Sequence, residues 1–342
     1  MDETPANKSG AGRLAELGTL AVLDLEAFLA GEDGAAEALA LELRAACEFH
    51  GFFYLKNHGI KQSLIDAIFA ETERFHCQSQ AAKNTVAINQ NQRGYIRPGA
   101  TLVSHSTYNE NTKFDSNETM VLATEYGPDD PGAQAGKRFY SENQWPGELP
   151  GFQETVSEYM QTMTAFGKSL LPIWALALEL PKGFFDAYFE NNYTYLRLAH
   201  YPPVTDLGDN EFGLGPHADT GFMTLLPQAD VDGLEVMKPD GSWFRPPRMV
   251  GEILVNTGQF LERWSNGRFR ASPHRVIPPL ERERYSVACF INTAFEPVCE
   301  CLPGCSSADN PSKYGPESYW DFYNWYMTKS YPHYEEFSDS AS

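Results

Sequence analysis

The chain has 342 residues, 42% of them apolar and 13% aromatic, enough for one large packed domain or two ordinary ones. Lys and Arg number 26 against 46 Asp and Glu, a formal charge of −20 that repels phosphate backbones and anionic lipid, so neither nucleic acid nor a membrane is an expected partner. No apolar run is long enough to span a bilayer and Met1 to Arg13 is polar, which points to a cytoplasmic protein, monomeric or weakly self-associating.

Taken in chain order, residues 1–15 are small and polar and are expected to fray. Residues 16–150 form a first region. Its segment "AAEALALELRAACEF" has helical spacing and good helix formers, and leads into "GFFYLKNHG", a short strand closed by a turn. A second helix is predicted from Gln62 to Phe75. Residues 84–147 are rich in Asn, Gly, Pro and Asp with little periodicity, and read as a long functional loop region.

The second region, 151–342, opens with helical spacing to residue 180, where Met163, Phe166, Leu170, Trp174 and Leu178 make a core stripe. After Tyr193 the texture changes to short runs rich in Val, Ile, Leu, Phe and Thr, separated by Gly, Pro and Asp: "YLRLAHYPP", "FMTLLPQ", "LEVMK", "EILVNTG", "HRVIPP" and "YSVACFINTAF". Strands at this spacing predict a sandwich or barrel. The aromatic "SYWDFYNWYMTKSY" fits a helix packed on that body. The cysteines at 299, 301 and 305 cluster, but their spacing fits no common zinc pattern and they read as ordinary thiols.

Chemistry enters at "GPHADTGFMTLL". In extended backbone, side chains two apart share a face, so His217 and Asp219 can grip one ion together. A third ligand must come from His50, His58, His76, His105, His200, His274 or His333. His274 opens "HRVIPPLERERYS", which reads as a hairpin centred near residue 280 and so sets position 274 opposite Arg284 and Ser286. Those two also share a face, and a guanidinium with a hydroxyl suits one end of a carboxylate. Residues 241–290 hold eight Arg and four Glu with no Lys or Asp, a local +4, and Arg284 stands out because it enters an apolar strand where an unpaired charge is costly. Two histidines and one carboxylate leave three positions open on iron, as in oxygen-activating Fe(II) sites, and zinc hydrolases use similar sets; the Arg-x-Ser pair favours a bound co-substrate acid.

At these residues the chain resembles the iron(II) and 2-oxoglutarate dependent dioxygenases of the isopenicillin N synthase-like family. The resemblance rests on "FHGFFYLKNHGI", "LRLAHYPP", "HADTGFMTLL", "WSNGRFRASPHRV" and "RYSVACFIN", five motifs in order over most of the chain. It implies a mainly β fold with helices: a double-stranded β-helix, the jelly-roll or cupin-like barrel, with an N-terminal helical portion. Residues 16–150 would then be the N-terminal dioxygenase region, and 151–342 the barrel with supporting helices.

Carried over by motif, His217, Asp219 and His274 would bind Fe(II), and Arg284, Ser286 and Tyr201 the far carboxylate of 2-oxoglutarate. Asp219 argues against the halogenating variants, which leave that position to halide. Phe290 shares a strand face with Arg284, Ser286 and Ala288 and is a candidate substrate contact, as are Arg93, Tyr95 and Arg97 in "RGYIRPG". The chain departs from the pattern at Ala199, where many members have Asn, and at Gln259, where Asp is common. The implied reaction consumes O2 and 2-oxoglutarate, releases succinate and CO2, and hydroxylates or desaturates a small-molecule metabolite. Two alternatives share the ligand set: an O2-dependent oxidase without 2-oxoglutarate, and a metal-binding barrel without turnover.

Overall fold

The computed structural model describes residues 20–102 and 108–330. Residues 1–15 and the candidate ligands His105 and His333 lie outside the described residues. The strands are β1 (Ala21–Asp24), β2 (Phe52–Lys56), β3 (Gly94–Ile96), β4 (Glu118–Ala123), β5 (Thr194–Tyr201), β6 (Leu214–His217) and β7 (Met223–Pro227), followed by β8 (Leu234–Met237), β9 (Trp243–Phe244), β10 (Ile253–Thr257), β11 (His274–Val276), β12 (Arg284–Ile291), β13 (Val298–Cys299) and β14 (Glu317–Ser318). The longer helices are α1 (Ala35–Phe49), α2 (Gln62–His76), α3 (Phe152–Ser169), α4 (Leu171–Ala177), α5 (Gln259–Trp264) and α6 (Tyr319–Ser330).

Two sheets carry the architecture. The major one runs β1-β2-β10-β7-β12-β5-β4-β3, antiparallel except for the β1–β2 pair, and the minor one runs β6-β11-β8-β9. Period-2 alternation explains how one strand serves two layers. In β2, Phe52 and Tyr54 join Val236 and Leu254 between the sheets, while Phe53 and Leu55 enter the larger core beneath the helices. Because the major sheet is covered on both faces, its strands read as near-continuous apolar runs in the sequence.

The helical layer follows from spacing. In α3 the buried residues Phe152, Val156, Tyr159, Met163 and Phe166 recur every three or four positions and form one stripe. Pro172 in the first turn of α4 lacks an N–H and separates the two helices near Leu170. Trp174, fully buried, lies against Phe53, Phe222 and Phe269 and ties this layer to the sheet. Among the described residues no helix is long and apolar enough to cross a membrane.

Two expectations need correction. The region 84–147 is not all loop: β3 and β4 extend the major sheet beside β5, and every residue of β4 is buried. "ETMVLA" is too short to stand out beside the Asn- and Gly-rich sequence before it. The segment 274–286 is also no hairpin. β11 pairs with β6 and β8 in the minor sheet, whereas β12 pairs with β5 and β7 in the major one. Two prolines, Pro278 and Pro279, sit in the connection, where they donate no ladder hydrogen bond, and the chain crosses from one sheet to the other.

Candidate active site

β6 ends at His217 and β11 begins at His274; the two residues pair directly, with ring centres 4.3 Å apart. Asp219 follows on the loop after β6. That loop is held by Gln259 at the start of α5, whose backbone N–H reaches Asp219 O at 2.7 Å and whose amide reaches Ala218 O at 2.8 Å. The departure at Gln259 therefore has a structural task. Asp219 Oδ1 lies 3.6 Å from His217 Nε2 and 3.5 Å from His274 Nε2. Its Oδ2 accepts from Thr224 Oγ1 at 2.5 Å and Asn256 Nδ2 at 2.7 Å.

Both imidazoles are oriented from behind. His217 Nδ1 meets Gly215 O at 2.9 Å and His274 Nδ1 meets Ser272 O at 3.3 Å. A carbonyl only accepts, so each Nδ1 carries a hydrogen and each Nε2 is the atom free to give its lone pair to a metal or to take a proton. Burial would raise the Asp219 carboxyl, but positive charge on His274 and hydrogen bonds from both rings hold it well below the usual carboxylate range. An anionic oxygen and two imidazole nitrogens thus converge, a donor set that can hold a divalent ion.

The triad opens into a cavity between the sheets. One wall is a two-strand ladder in which Tyr201 faces Arg284, Ala199 faces Ser286, Arg197 faces Ala288, and Tyr195 faces Phe290, all lining the cavity. Arg284 is 4% exposed. Its Nε donates to Val231 O at 3.1 Å, its guanidinium lies 4.8 Å from the Tyr201 ring centre, and its Nη1 is buried with no partner. A buried cation with an orphaned donor is costly unless an anion arrives, so the pocket's deep end fits a carboxylate.

A second group, His76, Glu118 and His200, also lies close enough together to hold an ion. Lys83 decides against it: the ammonium stands 2.7 and 3.0 Å from the two Glu118 oxygens and occupies the place of a cation. His50 and His58 join neither group.

The structure gathers His217, Asp219, His274, Arg284, Ser286, Tyr201 and Phe290 around one cavity and leaves out three other candidates. Arg93 is fully buried and spends its guanidinium on Asn91 O, Thr124 O, Phe139 O and the Tyr193 hydroxyl. Tyr95 points to Glu118, and Arg97 is exposed. Proximity in "RGYIRPG" misled because Tyr95 and Arg97 lie on the opposite strand face from Ile96, which does line the cavity.

The excess of arginine near residues 241–290 is likewise no broad anion surface. Arg245 and Arg275 pair with Glu235, Arg263 with Glu317, and Arg268 with Glu48 and Glu179. Gly221 is glycine for a steric reason: a Cβ there would lie 1.8 Å from Asn292 Oδ1, which accepts from Phe222 N.

Several contributors escaped the sequence reading. Thr224 and Asn256 anchor Asp219, and their signal was a polar residue inside the buried runs "FMTLL" and "EILVNTG". Arg197 lines the wall on β5, and α6 brings Tyr323, Tyr326 and Met327 across the cavity. Among the described residues Cys299, Cys301 and Cys305 join no group that can hold an ion.

Comparison with known proteins follows the same outline. Residues 20–148 match the family described as non-haem dioxygenase in morphine synthesis N-terminal, and 185–293 match the 2OG-Fe(II) oxygenase superfamily. The 2-oxoglutarate-Fe(II) type oxidoreductase hxnY of Emericella nidulans is 34% identical over 302 residues, spanning 86% of this chain and 85% of its own. Kihadalactone A synthase LFS of Citrus sinensis is 34% identical over 285 residues, 80% and 83% of the two chains. Among solved structures, a full-length Neurospora crassa protein in complex with alpha-KG and thymine superposes with a TM-score of 0.78 at 25% identity, covering 91% of this chain and 96% of that one.

Proposed function

The chain belongs to the iron(II)- and 2-oxoglutarate-dependent dioxygenases of the isopenicillin N synthase-like family, and we propose that His217, Asp219 and His274 are its iron ligands. The fold is the family's double-stranded β-helix, and the protein is an oxidoreductase that uses Fe(II), 2-oxoglutarate and O2. The convergence of two imidazole Nε2 atoms and Asp219 Oδ1 carries the ligand assignment. Held by these residues, Fe(II) would supply the redox chemistry by which O2 links decarboxylation of 2-oxoglutarate, to succinate and CO2, with oxidation of a C–H bond.

The remaining work falls to side chains. Arg284 takes the far carboxylate of 2-oxoglutarate through its orphaned Nη1 and points it toward the triad, with Ser286 and Tyr201 as the neighbouring hydroxyls on the same wall. Thr224 and Asn256 keep Asp219 Oδ2 occupied, so that Oδ1 faces the metal. Leu214, Leu226, Leu234 and Val276 dry the chamber.

Beyond Ser286 the wall suits a small planar substrate bearing an acidic group. Tyr195 and Phe290 stack at 4.1 Å as an aromatic platform, and Arg197 stands beside small Ala288. The bound thymine of the Neurospora structure, a planar ring, supports this reading. We place the enzyme in the cytoplasm, monomeric or weakly self-associating, acting on a free metabolite of natural-product or nucleobase type by hydroxylation or desaturation. The charge of −20 supports the absence of nucleic-acid and membrane partners.

The test is an anaerobic titration with Fe(II) and 2-oxoglutarate, read by the charge-transfer band, followed by a metabolite panel with O2. The expected result is a band in the parent, none in Asp219→Ala, and succinate equimolar with oxidised product. Full iron affinity in Asp219→Ala overturns the ligand assignment.

A further inference from the structure

The polar cluster behind the cavity wall has no part in that chemistry, yet it sits one residue away from the residues that do. Strand alternation turns Tyr201 and Arg284 into the cavity and sends their neighbours His200 and Tyr285 to the opposite, helix-covered face. There the His200 ring bridges two acids: Nδ1 meets Glu118 Oε1 at 2.8 Å, and Nε2 meets the carboxylate of Glu283, which directly precedes Arg284. The ring stacks on Tyr285 at 5.0 Å with 19° between planes.

A neutral imidazole has one N–H. Hydrogen bonds from both nitrogens to carboxylates require the imidazolium. Burial would lower the His200 pKa, but the bonds to Glu118 and Glu283 outweigh it and hold the ring above its ordinary value.

The two acids are not equivalent. Glu118, on β4, also receives Lys83 from the short helix after α2 and the Tyr95 hydroxyl from β3, and His76 of α2 lies 3.4 Å away, so its charge is balanced without His200. Burial opposes its ionisation, and the bonds from His200, His76, Lys83 and Tyr95 together hold its pKa well below the usual range. Glu283 is largely exposed and has His200 as its ion-pair partner. The remaining titratable neighbours, Cys77 and Glu73 on the α2 side, face Tyr285, whose hydroxyl burial pushes far up. Deprotonation therefore breaks the outer bond first, since the surviving N–H stays with buried Glu118 and a lone pair is left facing Glu283.

We propose that His200 is a positioning residue for co-substrate capture: as an imidazolium it latches the start of β12 to β5 through Glu283, and losing its proton frees that end and loosens Arg284. The inference rests on the assignment of Arg284 to the 2-oxoglutarate carboxylate. The sign follows from the raised pKa: the latch is closed below the ordinary histidine value of about 6.5 and opens as pH rises through the higher folded value.

The experiment pairs two readouts on parent and Glu283→Gln, a substitution at an exposed position where an amide can accept from N–H or donate to a lone pair. Histidine NMR titration without iron locates the His200 midpoint, and anaerobic 2-oxoglutarate titration of the Fe(II)-loaded protein gives Kd from about pH 6 to about pH 9. In the parent, Kd rises about fivefold or more with the His200 midpoint, and in Glu283→Gln it stays flat. The same rise in both proteins, or none in the parent, overturns the latch while leaving Arg284 as the carboxylate partner. No 2-oxoglutarate binding at any pH overturns that assignment, and the inference with it.

Discussion

Arg284 and Tyr201 are direct cross-strand partners, the guanidinium 4.8 Å from the ring centre, and together they close the deep end of the cavity. The ring screens the cation on one side and Val231 O fixes it on another, leaving Nη1 without a hydrogen-bond partner. Arg284→Lys keeps the charge but loses the fork. A hydrogen bond to a charged group contributes about 1.5–3 kcal/mol, so 2-oxoglutarate affinity is expected to fall roughly tenfold to a hundredfold with iron affinity unchanged, as read by the two separate titrations.

Thr224→Val removes a donor from Asp219 Oδ2 without changing side-chain shape. The carboxylate keeps Asn256 as its remaining donor and is expected to swing more freely. Fe(II) affinity should drop about tenfold to a hundredfold, measured by metal competition, while turnover at saturating iron is largely kept. Unchanged iron affinity would show that Thr224 does not orient the ligand.

Arg197→Gln tests the substrate reading. The iron and 2-oxoglutarate titrations should match the parent, because Arg197 lies four ladder rungs beyond Arg284. KM for an acidic substrate should rise about tenfold or more, and KM for its neutral amide should barely move. Equal effects on acid and amide sink the anionic-substrate proposal.

Asp115 carries a pH dependence. Its carboxylate accepts from Gly215 N at 2.8 Å and Thr101 Oγ1 at 3.1 Å, bracing β6 just before His217. Burial pushes its pKa up to about 7, against these two bonds. An acid raised on folding contributes most below its unfolded value near 3.8, and that contribution is lost as pH climbs toward 7. Asp115→Asn should therefore gain on the parent by roughly 2–4 kcal/mol between about pH 4 and about pH 8, measured as the difference of urea unfolding free energies. A difference that does not change with pH removes Asp115 from the linkage.

The family and the proposed ligand set were legible because both rest on local patterns. A His-x-Asp pair, an Arg-x-Ser pair and alternating strands depend on spacings of two residues, which extended backbone converts into shared faces whatever the rest of the chain does. The same rule grouped Phe290 with Arg284 and Ser286. What depended on pairing across the chain was not legible. His274 reaches the triad by pairing with His217 in the minor sheet, while Arg284 comes from the facing sheet, so the predicted hairpin was wrong although its residues do share one cavity.

Sequence alone named the side chains proposed for the chemistry, since donor type and spacing are properties of short segments. Tertiary structure alone decided what surrounds them: β4 out of an apparently irregular region, Thr224 and Asn256 behind Asp219, α6 across the cavity, and Glu283 against His200. Those contacts join residues far apart in the chain, and their partners are chosen by the packing of two sheets and a helical layer, which no short stretch encodes by itself.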